Sequence, residues 1–202
     1  MGFTTSRIDL SMWYKLKPNG KGYDYIAHHV DDFLIVADEP AVYLKEPKKV
    51  YSITGGEIPK LYLGQTTIPL EKEFGWCLST EKYIKKCLNS ICKIINKPKI
   101  GMHTTPTVSE WHPELYSSPL LDDAHIKIYQ QLIGMGVWLT TIGRIDIAYA
   151  ISTLSRFAHI AREEYLKDLI CVFEYIQKYP KRNLVITNQE FQFEFPDDPK
   201  SI

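Results

Sequence analysis

The chain has 202 residues, which is enough for one domain or two small ones. Apolar residues make up 45% of it and charged residues 24%, as in ordinary globular proteins. Lysine and arginine total 24, and so do aspartate and glutamate, so the formal net charge is zero. Proteins that bind nucleic acid unaided are usually basic, so this balance argues against such a protein unless its positive charge is concentrated locally.

The cysteine and histidine spacing argues against a zinc site. None of the 4 cysteines forms a C-x-x-C pair, and neither His103 nor His112 has a partner at the spacing of zinc ligands. Free thiols without a signal peptide indicate an intracellular protein, with reduced cysteines. No apolar run approaches the length needed to cross a membrane.

The first residues predict consecutive antiparallel strands. Residues 12–16 and 23–30 are apolar runs separated by KPNGKG, a strong turn signal with a proline, an asparagine and two glycines. Residues 33–37 form a further short apolar run. The pair Asp31-Asp32 separates the last two strands, so the sequence predicts a β-hairpin with two carboxylates at its tip.

Two explanations of the Asp31-Asp32 pair remain open. Aspartate tolerates turn geometry well, so the pair is explained simply as a polar turn. The flanks are strongly apolar, however, which indicates that the hairpin lies in a core. Adjacent carboxylates on a rigid hairpin suit Mg²⁺, which is usually bound by one or two carboxylates plus substrate phosphates.

The next elements predict the rest of a small antiparallel sheet with a helix on it. A helix is expected over residues 41–51, which Pro47 shortens or kinks. Strands are expected at residues 51–53, 60–68 and 74–78, with Thr54-Gly55-Gly56 as a turn. The overall class is therefore α+β.

A helix follows from Ser79 or Thr80, as its cap, to about Asn96. Its lysines share one side, within about 60° at roughly 100° per residue. They are Lys82, Lys86, Lys93 and Lys97. This lysine row is explained either as a solvated face or as a surface that follows a nucleic-acid backbone.

The second half of the chain is predicted to be mostly helical. Residues 98–121 contain several prolines and predict a long loop that marks a domain boundary. Helices are expected at residues 122–141, 145–159 and 162–178, with Gly134 and Gly136 allowing another element to approach closely. The expected inward residues of the first of these helices include Val137. Residues 183–188 and 191–195 predict two terminal strands.

Several stretches resemble the reverse transcriptases of copia-type retrotransposons. Residues 29–35 (HVDDFLI) resemble the X-V-D-D hairpin of that family. Residues 129–157 (YQQLIGMGVWLTTIGRIDIAYAISTLSRF) are similar to its block Y-R-x-L-I-G-x-L-x-Y-L-x-x-T-R-P-D-I-x-x-A-V-x-x-L-S-R-F, which is too long and specific for chance. Shorter matches are Gly2-Phe3 with Ser6, Asp9 and Ser11, then Tyr62-Leu63-Gly64, Tyr83-Ile84 and Thr105-Pro106.

The resemblance covers about residues 2–180 and implies a domain organisation. Residues 1–78 correspond to the rear part of a polymerase palm that carries the Asp-Asp hairpin. Residues 79–121 correspond to a thumb-like helix and a long loop, which favours the backbone-binding explanation of the lysines. Residues 122–202 correspond to a helical connection region that leads to a terminal strand pair.

The resemblance also implies a chemistry, namely two-metal nucleotidyl transfer from dNTPs to an RNA or DNA primer-template. Asp31 and Asp32 would be the catalytic carboxylates of the Mg²⁺ site, with Asp31 the more direct ligand. His29 replaces the family's Tyr or Phe beside the primer end, next to Val30. The segment Tyr62, Leu63 and Gly64 would hold the primer strand by packing and backbone contacts.

The family carries parts that this sequence does not match. A third catalytic aspartate and the fingers precede the segment that Gly2-Phe3 resembles, and an RNase H domain follows the connection. Asp9 and Asp24 match non-catalytic positions, and Asp197-Asp198 is too terminal to build an RNase H site. We therefore expect the chain to lack activity alone, to need the missing palm, fingers and RNase H segments as partners, and to be poorly stable.

Alternative interpretations remain. The chain is either part of an enzyme or a non-enzymatic retroelement remnant that at most binds nucleic acid; a third alternative is an α+β interaction domain whose Asp31-Asp32 pair is only a turn. His28 and His29 are then strand residues, one inward and one outward, without a catalytic role. Arg144 and Asp146 are interpreted as a structural element at a helix start.

Overall fold

The computed structural model describes residues 1–70 and 75–187, which form two four-stranded antiparallel sheets and a group of packed helices. An α+β class with antiparallel sheets agrees with the sequence. The sequence predicts one small sheet in the first part of the chain, and the structure instead has two separate ones. The predicted strand at residues 191–195 lies outside the described residues.

The first sheet confirms the predicted run of antiparallel strands. Its strands, in spatial and chain order, are β1 (Thr4–Thr5), β2 (Met12–Leu16), β3 (Tyr23–His29) and β4 (Asp32–Val36). The predicted turn between β2 and β3 uses Gly20 and Gly22 at φ 69° and 83°, a left-handed conformation that glycine adopts without strain. β1 and β4 are the edges of this sheet.

The prediction that the Asp hairpin lies in a core is wrong. Val30 is 72% exposed, Phe33 56% and Val36 57%. Ile26 is the one apolar side chain of β1–β4 that is buried within the described residues. The strands are apolar enough to be covered on both faces, but the packed helical core lies elsewhere in the chain. The apolar pattern of these strands therefore indicates a surface that is suited to burial, although the described residues leave most of it exposed.

The single helix predicted over residues 41–51 is divided into two short ones. These are α1 (Pro40–Leu44) and α2 (Pro47–Val50), each beginning at a proline. Proline is tolerated in the first turn of a helix but not in its interior, so Pro47 ends one helix and starts the next. The strand predicted at residues 51–53 does not form.

The second sheet has the order β5 (Leu61–Tyr62), β6 (Gln65–Pro69), β7 (Gly75–Ser79) and β8 (Leu184–Thr187). The long strand predicted at residues 60–68 is therefore broken in two. Leu63 and Gly64 separate β5 from β6 with φ angles of 48° and 80°, the positive values that tight hairpin turns require. The C-terminal β8 pairs with β7, with Leu184 opposite Leu78.

Four longer helices form the core. They are α3 (Glu81–Ile94), α4 (Asp123–Thr141), α5 (Ala148–Ser155) and α6 (Glu163–Lys178). Two 3₁₀ helices, Pro113–Leu115 and Ile145–Ile147, precede α4 and α5. The predicted helix at residues 145–159 is thus shorter than expected. The fully buried apolar side chains of this core include Ile84, Ile91, Tyr129, Leu132, Leu139, Leu154, Leu169, Val172, Phe173 and Ile176.

Details of α4 test three predictions about its inner side. Gly136 lies against Ile151 of α5, so closely that an added Cβ would meet the Ile151 side chain, which confirms the expected close approach. Gly134 has no neighbouring atom within 4 Å of an added Cβ, so the same expectation is wrong there. Val137 is 45% exposed and does not belong to the inner face.

Hydrogen bonds attach the loop at residues 98–121 to α6 at several points. The Gly101 amide donates to Glu174 Oε1 at 3.0 Å, and the Ser118 amide donates to Glu164 Oε2 at 3.1 Å. Between them, Trp111 and Tyr116 both donate to Asp168. The predicted absence of long regular elements here is confirmed, apart from the 3₁₀ turn.

Candidate functional site

The tip of the Asp hairpin is a two-residue turn formed by Val30 and Asp31, one position earlier than predicted. His29 pairs with Asp32, so Asp32 is the first residue of β4 and not part of the turn itself. Val30 has φ 54°, a left-handed conformation that is strained for a β-branched side chain. Such strain is found preferentially at functional sites. The two carboxylates therefore sit at adjacent positions, one in the turn and one at the strand start.

The two histidines that precede the tip lie on opposite faces of β3, as the alternation of a strand requires. His28 donates from Nε2 to the Val30 carbonyl at 2.9 Å, which fixes its proton on that nitrogen. Its ring lies between Trp13 and Phe33, with centroids 5.6 and 5.1 Å away. His29 is exposed and lies on the side of Asp32. The predicted inward and outward placement is confirmed.

The charge of the Asp hairpin acts on Tyr62, which ends β5 just before the turn to β6. Burial raises the pKa of the Tyr62 hydroxyl, and the negative charge of Asp32 raises it further. His29, Val30, Asp31 and Asp32 therefore lie together at one hairpin tip, and Tyr62, Leu63 and Gly64 form a separate turn between β5 and β6.

Asp31 and Asp32 satisfy part of what a magnesium site needs. Carboxylate oxygens are the ligands that Mg²⁺ prefers, and both residues are exposed to a potential ligand. No group of three or more histidine, cysteine, aspartate or glutamate side chains that could hold a metal occurs in residues 1–70 and 75–187. Among the described residues, Asp31 and Asp32 are thus two neighbouring carboxylates that form no metal-binding group with a third such side chain.

Asp24 and Asp9, which the resemblance places at non-catalytic positions, both accept local hydrogen bonds. Asp24 lies at the opposite end of β3, paired with Lys15, and accepts a hydrogen bond from the Tyr43 hydroxyl at 2.6 Å. Its Oδ1 is buried without a hydrogen-bond partner among the described residues. Asp9 accepts from the Ser11 amide at 2.9 Å. Asp24 is therefore remote from Asp31, whereas Asp9 lies in the β1–β2 connection, where the Ser11 carbonyl accepts from the His28 amide at the tip end of β3.

The lysine row on α3 is exposed on a helix whose other side is in the core. Lys82, Lys86 and Lys93 are exposed, whereas Ile84 and Ile91 are fully buried. α3 packs against β6, α4 and α6, so these three lysines are held on a rigid support.

The placement of Lys97 on the helix is wrong. α3 ends at Ile94, and Asn96 has φ 51°, which turns the chain away from the helix axis. Lys97 is exposed but lies beyond that turn. The row also omits Lys85, whose ammonium lies 2.9 Å from Glu81 in an i,i+4 ion pair. The Glu-x-x-x-Lys spacing was the signal that could have found it.

Comparisons with known proteins point to transposons. The chain is 29% identical over 191 residues to the retrovirus-related Pol polyprotein from transposon RE1 of Arabidopsis thaliana, a match to 92% of the chain and 12% of that protein. It is 32% identical over 190 residues to the putative transposon Ty5-1 protein of Saccharomyces cerevisiae, covering 92% of the chain and 58% of that protein. The chain is related to transposon proteins.

These matches support a retrotransposon origin of the chain. The chain spans less than two thirds of the length of each of these two relatives. No protein-family model matches it, and no solved structure does. Among the described residues, no helix is both long and apolar enough to cross a membrane.

Proposed function

We propose that the chain is part of an RNA-directed DNA polymerase, a reverse transcriptase of a copia-type retrotransposon, that works inside the cell. The observation that carries the proposal is the pair of exposed carboxylates, Asp31 and Asp32, at the strained tip of a hairpin. Its similarity to a Pol polyprotein over 92% of its length supports the same assignment.

In this proposal the residues at the tip have separate roles. Asp31 and Asp32 would hold Mg²⁺, with Asp31 the more direct ligand; the metals, when bound, would stabilise the displacement at the α-phosphate. His29 and Val30 would lie beside the primer end. The Tyr62-Leu63-Gly64 turn would hold the primer strand through its backbone and packing.

The proposed site is shared with other segments of the polymerase. A third carboxylate, the fingers that clamp the dNTP and an RNase H region would be supplied from outside the described residues. The edge of β4 begins at Asp32 and has unpaired backbone groups, so another strand could join the sheet directly beside the carboxylates. A strand added there would also cover part of the exposed apolar surface around Phe33.

The lysine row would bind the primer-template. Lys82, Lys86 and Lys93 lie on one face of α3 and span about 16 Å at about 1.5 Å per residue. Lys97 would add to this surface from beyond the helix end. Lysine contacts to phosphates supply affinity that does not depend on sequence and that weakens with salt.

A second candidate is a protein that binds nucleic acid without catalysis. It is favoured by the difference between the two regions: α3 and its lysines are anchored in the core, whereas the sheet with Asp31 and Asp32 buries little apolar surface. Binding by α3 requires nothing from the Asp hairpin, so the two candidates are separable by experiment.

Primer extension in Mg²⁺ or Mn²⁺ tests the first candidate. We expect no extension by the chain alone. With the upstream palm and fingers region supplied on a second polypeptide, we expect extension that is lost in Asp31→Asn with Asp32→Asn and kept in the matched control Glu57→Gln, an exposed loop residue. Extension that survives the double Asp variant would overturn the assignment of the site.

Salt-dependent duplex binding tests the lysine row in both candidates. Lys86→Ala with Lys93→Ala removes two phosphate contacts, so the slope of log affinity against log salt should fall by about 2. The control is Lys21→Ala with Lys45→Ala, two exposed lysines of the first sheet region. Binding that does not respond to salt would exclude the row as a phosphate-binding surface.

A further inference from the structure

The start of α3 and the segment that follows α6 lie at the same end of the second sheet. β7 pairs with β8 in antiparallel fashion, with Leu78 opposite Leu184. The chain leaves β7 through Thr80 directly into α3, and it enters β8 from the segment at residues 178–183. Antiparallel pairing therefore places the first turn of α3 beside Lys181, although a hundred residues of chain separate them.

The electrostatics of Glu81 agree with this placement. A hydrogen bond from Lys85 lowers the pKa of Glu81, and the positive charge of Lys181 lowers it further. Glu81 is the acidic residue in the first turn of α3, and its ion pair with Lys85 is 2.9 Å long. Glu81 lies between the α3 lysines and Lys181, and the positive charges of Lys85 and Lys181 compensate its negative charge.

Lys178 ends α6, and Lys181 follows three residues later, where its charge acts on Glu81. Both are exposed, and neither forms an ion pair with a described residue, whereas the neighbouring Arg182 is 3.8 Å from Asp146 and donates to the Tyr175 hydroxyl. The ammonium of Lys178 lies 5.7 Å from the centre of the Tyr179 ring. Basic residues interspersed with aromatic side chains are typical of surfaces that bind nucleic acid.

We propose that the nucleic-acid surface of α3 continues across its first turn onto Lys178 and Lys181, so that two separate elements hold one phosphate backbone. This inference rests on the proposed function, because it extends the surface formed by Lys82, Lys86 and Lys93. The combined surface joins residues distant in sequence: the β7–β8 pairing places Lys181 beside the first turn of α3, and Lys178 ends α6, which packs against α3. The ligand it fits is a duplex long enough to pass the N-terminal end of α3.

The test measures binding of a mixed-sequence DNA duplex to the full chain by fluorescence anisotropy at a series of NaCl concentrations. The variant is Lys178→Ala with Lys181→Ala, which leaves Arg182 and its bond to Tyr175 in place. Two reference variants accompany it: Lys86→Ala with Lys93→Ala, and the control Lys21→Ala with Lys45→Ala. Circular dichroism melting of each variant establishes that the fold is retained.

The expected result is a salt slope lowered by about 2 in both the Lys178/Lys181 variant and the Lys86/Lys93 variant, with the control unchanged. If the Lys86/Lys93 variant loses slope while the Lys178/Lys181 variant matches the control, this inference is wrong and the α3 surface stands. If only the Lys178/Lys181 variant loses slope, the continuous surface is also excluded. A wild-type chain that does not bind the duplex would overturn this inference together with the proposed α3 surface.

Discussion

Arg144 donates two hydrogen bonds to Asp146, from Nε to Oδ1 and from Nη2 to Oδ2, each 2.9 Å long. Arg144 is completely buried, and Tyr175 of α6 adds a hydrogen bond to Asp146 Oδ2 at 2.8 Å. The pair lies at the start of the 3₁₀ helix that leads into α5, as the sequence predicts for a structural element. It therefore joins α4, α5 and α6 at one charged point in an apolar core.

Replacing Asp146 by alanine should strongly destabilise the protein. It leaves the Arg144 guanidinium buried without its counter-charge, and breaking one partner of a buried ion pair costs about 3 to 5 kcal/mol. We expect a loss near the lower figure, since part of the Asp146 side chain reaches solvent and the pair is partly screened. Urea denaturation of the full chain measures it. The control Glu57→Ala removes an exposed carboxylate and should change the free energy of unfolding little, and an equal loss in both variants would contradict the argument.

The same pair gives a prediction for acid pH. Burial opposes ionisation of Asp146, but the hydrogen bonds from Arg144 and Tyr175 outweigh it and hold its pKa below the ordinary value of 3.8. Because the folded pKa is the lower one, the stabilisation is fully present above the unfolded pKa and is lost as the pH falls through the folded pKa.

We therefore expect wild type to lose its advantage over Asp146→Asn in acid. The difference in their free energies of unfolding should be constant above about pH 5, then shrink as the pH falls below 3.8. Urea titrations of both proteins over this range provide the measurement. A difference that stays the same down to the acid limit of folding would show that the charge of Asp146 is not what stabilises the pair.

Gly136 and Gly134 of α4 differ in the space around their Cα atoms, so the same substitution at the two positions can be compared directly. A Cβ at Gly136 would lie 3.0 Å from Cγ1 of Ile151 and closer still to the end of that side chain, whereas Gly134 has open space. Gly136→Ala should therefore cost about 1 to 3 kcal/mol through overpacking, reduced by the better helix propensity of alanine.

In contrast, Gly134→Ala should stabilise the helix by up to about 1 kcal/mol, since propensity is the one term that changes. Chemical denaturation of the two variants gives the comparison. Equal effects of the same sign would mean that α5 does not pack on Gly136 as the structure has it. A further variant, Gly136→Ala with Ile151→Val, should recover part of the loss because it shortens the side chain that the new methyl group meets.

Local patterns were enough to predict most of the helical half. α4 and α6 begin and end within about a residue of their predicted limits, because each has a strong apolar period and a clear boundary, such as Asp122 before α4 and Pro180 after α6. The side chain of Asp122 accepts from the His125 amide, which is the capping interaction that such a residue favours.

Features that depend on distant contacts or on single φ angles were not predictable in this way. The positive φ of Asn96 ends the surface of α3 before Lys97, and the positive φ of Val30 shifts the tip of the Asp hairpin by one residue. The pairing of β8 with β7 depends on residues far apart in the chain. Apolar periodicity reports which face of a strand is suited to burial, and the exposed Phe33 illustrates that it does not report what covers that face.

Asp168 offers the sharpest test of how the loop at residues 98–121 is held. Its Oδ2 accepts from the Trp111 indole and from the Tyr116 hydroxyl, both at 2.7 Å. Hydrogen bonds to a charged group contribute about 1.5 to 3 kcal/mol each, and a buried donor left unpaired carries a penalty of its own. Asp168→Ala should thus lower the free energy of unfolding by about 2 to 4 kcal/mol. Asp168→Asn keeps an acceptor without the charge and should lose less.

Hydrogen exchange of the tryptophan indole N–H groups shows where in the structure Asp168→Ala weakens the protein. The chain has 4 tryptophans, and Trp111 is the one bonded to Asp168, so the other three act as internal controls. In Asp168→Ala we expect the Trp111 indole to exchange faster while Trp138, whose helix lies in the core, keeps its rate. Faster exchange at all four would indicate global destabilisation instead, and an unchanged Trp111 rate would show that Asp168 does not hold the loop.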